Sequence, residues 1–142
     1  MALTLDDARS IIAGARSAAR NAGMKPLSII VLDAGGHVTA FEREDGSSNK
    51  RFEIAFGKAH GALALGIGSR ALMARAEQQP YFVAAVTSAI GGALVPVPGG
   101  VLITDGSGVT LGAVGVTGDV SDNDEIAAVA GITEAGFMPV TG

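Results

Sequence analysis

The chain has 142 residues and a net charge of −4, which fits one compact domain spanning residues 1–142. No basic run stands out and aromatics make up only 4%, which argues against a nucleic-acid surface. The absence of cysteine excludes disulfides, thiolate metal sites, cysteine nucleophiles and thioether-linked haem, and fits a cytoplasmic location.

Thr4 is placed to cap a first helix, with Asp6 and Asp7 complementing its positive end, where a signal peptide would be basic. Leu5, Ala8, Ile11, Ile12, Ala15, Ala18, Ala19 and Ala22 repeat at helical spacing, and Gly23 is the natural stop. Pro26 opens an extended run, Leu27 to Leu32. Asp33-Ala34-Gly35-Gly36 reads as a hairpin turn and His37 to Phe41 as the return strand. After a polar loop, Arg43 to Asn49, a helix from about Ser48 presents Phe52, Ala55, Phe56, Ala59 and Leu63 on one face. Gly66 and Gly68 close it, and Ser69 begins a short helix through Arg75. Residues 80–90 predict a further helical turn or two, and 91–99 a loop.

Strands at about 100–104 and 109–117 form a second hairpin. Ser121 is the expected cap of a last helix, Asp122 to Ala135, with Ile126, Val129, Ala130 and Thr133 inward. Hairpins imply antiparallel pairing, so the expected class is α+β, with one sheet of four or five strands and helices on both faces. No apolar run reaches ~18 residues, so no membrane span is expected. Hydrophobic residues make up 48%, much of them Ala, and there are 21 glycines. Such a core must rest on close backbone approach. With charged residues at only 17%, the chain is also expected to bury surface in a homo-oligomer, tetramer to octamer. Gly112 and Gly115 fall on opposite faces of their strand, one expected against a helix and the other against a pocket or a neighbouring subunit.

Gly66-Ile67-Gly68-Ser69-Arg70-Ala71 matches a dinucleotide fingerprint in form, but a helix precedes it, so helix termination is the better reading. Asp122, Asp124 and Glu125 occupy a first helical turn, where acids are favoured by ~0.3–1 kcal/mol each. No His or acid spacing predicts a metal site. His37 follows a turn, and His60 lies about 80° from Phe52 around its helix, between core and solvent. Lys58 sits on the other edge, either snorkelling or offering its ammonium to an anionic ligand. Arg43 and Asp45 are expected to order their loop, with Asp45 accepting backbone N–H groups near Gly46.

Six segments in register resemble the GlcG/HbpS-like domain family, the haem-binding or haem-degrading domain also found at the C-terminal end of PduO-type proteins. They are Val31 to Val38, Phe41 to Gly46, Ile54 to Ala59, Pro98 to Val101, Gly112 to Gly118 and Asp124-Glu125. Leu102, Glu44 and Gly61 stand where that family usually has proline, methionine and threonine. The resemblance implies a profilin-like α/β/α sandwich that oligomerises. It implies a small-molecule or haem ligand, with carboxylates held by Lys58, Arg43 and the Gly99-Gly100 turn. His37, His60 or Thr117 would approach a metal, and Asp124 and Glu125 would line the site. The alternative is a cofactor-independent enzyme of lyase, isomerase or hydratase type acting on a small oxygenated metabolite. There His37 or His60 is the base and Lys58 or Arg43 the clamp. A third reading is an accessory subunit with no chemistry of its own.

Overall fold

A computed structural model describes residues 1–142. Helix α1 (Leu5–Asn21) starts from a capping box: Thr4 Oγ1 accepts the Asp7 N–H and Asp7 Oδ2 accepts the Thr4 N–H. The first hairpin, β1 (Ser28–Asp33) and β2 (Val38–Arg43), turns through Asp33–Gly36 as expected. Then come α2 (Arg51–Leu65), α3 (Ser69–Gln78) and α4 (Pro80–Ala89), the last a full ten-residue helix started by a proline in its first turn. The second hairpin is β3 (Gly100–Thr104) and β4 (Thr110–Thr117), followed by α5 (Ser121–Glu134) and a three-residue β5 (Met138–Val140).

All pairings are antiparallel, in the order β2-β1-β4-β3-β5. The protein is therefore α+β, a single five-stranded sheet with helices on both faces. Helices α1 and α5 cover one face over a cluster that includes Ile11, Ile12, Ile29, Val31, Val114 and Ile132. Helix α2 covers the other, over Ile30, Leu32, Leu102 and Ala113. Alternation along β1 sends odd positions to one layer and even positions to the other. No helix is long and apolar enough to cross a membrane.

Glycine sets how closely the layers meet. A Cβ on Gly131 of α5 would lie 2.3 Å from the Ile11 carbonyl of α1, and one on Gly115 of β4 2.0 Å from the Ala55 carbonyl of α2. Gly115 thus faces a helix. On Gly112 an added Cβ would strike the Leu32 carbonyl of the adjoining strand at 2.1 Å. Two helix faces also differ from expectation. In α5 the buried positions are Asp124, Ala127, Ala128, Gly131 and Ile132, while Ile126 is 57% exposed. In α2 they are Ala55, Gly57, Lys58, Ala59, Gly61 and Ala62, and Phe52 lies outside. In both, most of the inward side chains are small because the helix lies close to its neighbours, with Lys58 and Ile132 the large exceptions.

Candidate functional site

The structure brings Lys58, Gly99, Gly100 and Asp124 together, but turns their polar groups inward. Lys58 is 2% exposed. Its Nζ donates to the Val116 carbonyl at 2.9 Å and to Asp124 Oδ2 at 3.1 Å. Burial pushes the lysine pKa down, and the facing Asp124 carboxylate opposes that shift. Burial likewise pushes Asp124 up, against the pull of Lys58 and of the Asp119 N–H on its other oxygen. Asp124 thereby ties the start of α5 to α2 past the end of β4. The expected Ser121 cap is absent: the N-cap position is Val120. Its neighbour Asp119 accepts the Val120 N–H and the Asn123 side-chain amide.

The Gly99-Gly100 turn lies directly on Lys58. Gly99 has φ +124°, and a Cβ there would meet Lys58 Nζ at 2.9 Å. A Cβ on Gly100 would meet the Lys58 carbonyl at 2.3 Å. The Gly100 N–H donates to Ser69 Oγ at 2.7 Å. An anion cradle of a free ammonium and unpaired amides, expected from the sequence, is therefore not what these residues form. They form a buried joint, and Ser69, which completes it, was read only as a helix start.

The other expected site residues are dispersed. Arg43 donates to the Ser47 carbonyl of its own loop. The carboxylate that orders that loop is Glu44, not Asp45: Glu44 Oε1 accepts the buried Leu27 N–H at 2.7 Å while Oε2 faces Arg16 and Arg20. Asp45 is exposed. Glu125 pairs with Arg70 of α3 at 3.1 Å, and Asp122 joins the same guanidinium. Thr117 Oγ1 accepts from Arg51 Nη1 at 2.8 Å. No three His, Asp or Glu side chains converge as a metal-binding group.

The two histidines occupy adjoining clefts on either side of Ala34-Gly35. His60 lines a cleft of about 380 Å³ with Gly36, Phe56, Leu63 and Ala64. Its Nδ1 lies 2.9 Å from the Ala93 carbonyl. A carbonyl only accepts, so Nδ1 carries a hydrogen and, in the neutral ring, Nε2 keeps a free lone pair. Ala93 is the one non-glycine residue with positive φ, at 52°, a conformation that costs about 1–3 kcal/mol. That strain points the acceptor at His60. Ala93→Gly, at an exposed position, is expected to raise stability by about 0.5–1 kcal/mol in chemical denaturation.

The scarce aromatics gather here as well. His60 stacks on Phe56 (5.1 Å between centroids, 18°) and Phe56 on Phe52 (6.1 Å, 10°), which meets Phe41 edge-on at 4.9 Å. Phe52, Phe56 and His60 thus form one file along α2 at i, i+4 spacing, and Phe41 of β2 closes its end.

His37 lines the second cleft, of about 410 Å³. Its side chain is 78% exposed and its Nδ1 lies 3.0 and 3.2 Å from the two Asp33 carboxylate oxygens. The His37 amide first, then its imidazole, hold the Asp33 pKa below the usual carboxylate range. A Cβ on Gly35 would meet the imidazole at 2.7 Å, so the ring in this position folds over the glycine.

With this geometry in place, the relatives identify the class. The family model for "haem degrading protein HbpS-like" matches residues 3–133. The chain belongs to the HbpS-like family. Among solved structures, HbpS is 29% identical, with a TM-score of 0.80 over 94% of this chain and 89% of its own. The PduOC–haem complex is 23% identical, with a TM-score of 0.85 over 96% and 97%. The ORFY protein of Klebsiella pneumoniae is 22% identical, with a TM-score of 0.82 over 93% and 89%. No curated protein matches the sequence.

Proposed function

We propose that the chain binds haem or a similarly flat small molecule in the cleft between the Ala34–Gly36 turn and the outer face of α2. The observation that carries this reading is the Ala93 carbonyl on His60 Nδ1. It fixes the tautomer and leaves Nε2 as a nitrogen donor, the arrangement that ligating histidines share. The donor set fits the group. An imidazole stands beside Phe56 and Leu63, and Gly35 and Gly36 leave the opposite wall without side chains. Bound haem would supply an iron centre with redox and small-ligand chemistry. The protein's own part would be to hold the iron through His60 and to shield one face with Phe56 and Leu63. Family membership supports the same ligand, and a protein of this fold has been solved as a haem complex.

Titration of the purified protein with haemin tests the proposal. A Soret band should develop, and His60→Ala should weaken binding at least tenfold, about 1.4 kcal/mol, with the far-ultraviolet dichroism unchanged. A Soret titration indifferent to His60→Ala would place the ligand elsewhere.

A second reading, proton transfer on a small oxygenated metabolite, draws on the Asp33–His37 pair. A carboxylate holds Nδ1 and leaves Nε2 as a base toward its cleft. Turnover lost in His37→Gln and kept in His60→Ala would favour it. Self-assembly belongs to the same proposal, supported by exposed Tyr81, Val109 and Ile126 and by α4, which packs chiefly on α3.

A further inference from the structure

At the N-terminal end of α2, nine residues and about 13 Å from His60, lies a separate cleft of about 190 Å³ in which Pro26 is the one apolar side chain among the lining residues. Lys25, Ser47, Ser48 and Arg51 line it, with Gly46 and Gly118. Arg51 meets no carboxylate. Its Nε donates to Ser48 Oγ at 2.9 Å and its Nη1 to Thr117 Oγ1 at 2.8 Å. Both hydroxyls act as acceptors in these bonds, so their hydrogens stay available, as does the Nη2 group of the guanidinium. No acid lines the cleft.

Ser47 supplies the independent sign of a ligand. The residue is 8% exposed, and its buried Oγ has no hydrogen-bond partner. A buried hydroxyl is normally paired, because leaving it unpaired is costly. Helix α2 adds its positive end: its N-cap, Lys50, offers no side-chain acceptor to the first turn.

We propose that this cleft binds a phosphate group. Its donors are the Ser47 and Ser48 hydroxyls, the Arg51 Nη2 group and the Lys25 ammonium. They outnumber what the two oxygens of a carboxylate can take and suit the several oxygens of a phosphate. The cleft's volume admits such a group but not a large attached body, so the phosphate is free or terminal. The charge is fixed in place, because Arg51 is braced by Ser48 and Thr117 before any anion arrives.

The test is titration of the full chain with inorganic phosphate at constant ionic strength, followed by calorimetry and by thermal denaturation. Phosphate should bind and raise the melting temperature, whereas acetate and chloride at equal ionic strength should not. Arg51→Gln should weaken phosphate binding about tenfold or more, as expected for loss of a charge-assisted contact. Ser47→Ala separates the site from mere structure. It should weaken phosphate several-fold while leaving the phosphate-free melting temperature unchanged or higher, because it removes an unpaired buried hydroxyl. Phosphate that stabilises no better than chloride, or acetate that matches it, would overturn the assignment. So would phosphate affinity unmoved by both variants.

Discussion

Lys58→Met is expected to destabilise the fold by about 3–5 kcal/mol, because it strands the Asp124 carboxylate in a buried setting. The double variant Lys58→Met, Asp124→Leu should recover most of this loss, since replacing a buried ion pair with apolar groups is often neutral or stabilising. The pH dependence has a definite sign. Burial already holds the Asp124 pKa above its ordinary value, and without the lysine it must rise further. A carboxyl whose folded pKa lies above its unfolded value contributes stability below the unfolded pKa and loses it as pH rises through the folded one. Lys58→Met should therefore lie closer to the parent near pH 4 than at pH 7.5. Urea denaturation at the two pH values measures this. A deficit that is equal at both, or larger in acid, would mean that Asp124 is not the group left uncompensated.

Gly115→Val should cost about 3 kcal/mol or more, at the upper end of overpacking. The added Cβ would lie 2.0 Å from the Ala55 carbonyl and 3.1 Å from the Ala59 Cβ. The obstacle is helix backbone, so α2 itself must shift. Phe56 and His60 ride on α2, so the variant should also lose haem affinity beyond its effect on stability. Gly106→Ala is the matched control. Nothing lies within 4 Å of a Cβ there, and its effect should stay within about 0.5 kcal/mol. Denaturation midpoints of the two variants, with haemin titration of each, decide the matter.

The hairpins, the N-cap at Thr4 and the order of helices were legible because each is written locally: turn glycines, a cap, a period. The three-residue β5, with a proline at its centre, carries no such signal, and pairing with β3 alone makes it a strand. Inward faces were harder. The large apolar residues Phe52 and Ile126 suggested burial, but Gly57 and Gly61 admit the Val95 and Leu94 side chains and Gly131 admits the α1 backbone instead.

The candidate site divides along the same line. His60 was identified, but its partner Ala93 is a residue with no chemistry in its side chain, recruited through an unusual backbone angle. Lys58 was noticed for its place beside the apolar face. Its partner Asp124 lies 66 residues away, and no helical count relates the two. Glu44, Ser69 and Arg51 were missed because each acts through a contact distant in sequence: Leu27, Gly100 and Thr117.

The two coats of the sheet should answer differently to temperature. The α1 and α5 side buries branched aliphatic chains, whose hydration dominates the heat capacity of unfolding and whose contribution fades on cooling. On the α2 side the helix sets Ala55, Ala59 and Ala62 against Ile30, Leu32 and Leu102, and Gly115 meets helix main chain, so fewer branched chains are buried. Exposing peptide groups lowers the heat capacity while exposing methyl groups raises it, so this side contributes less of it. The α2 layer that carries the file of rings should thus lose less of its hold on the sheet on cooling, while the opposite layer supplies most of the curvature in the stability of the whole.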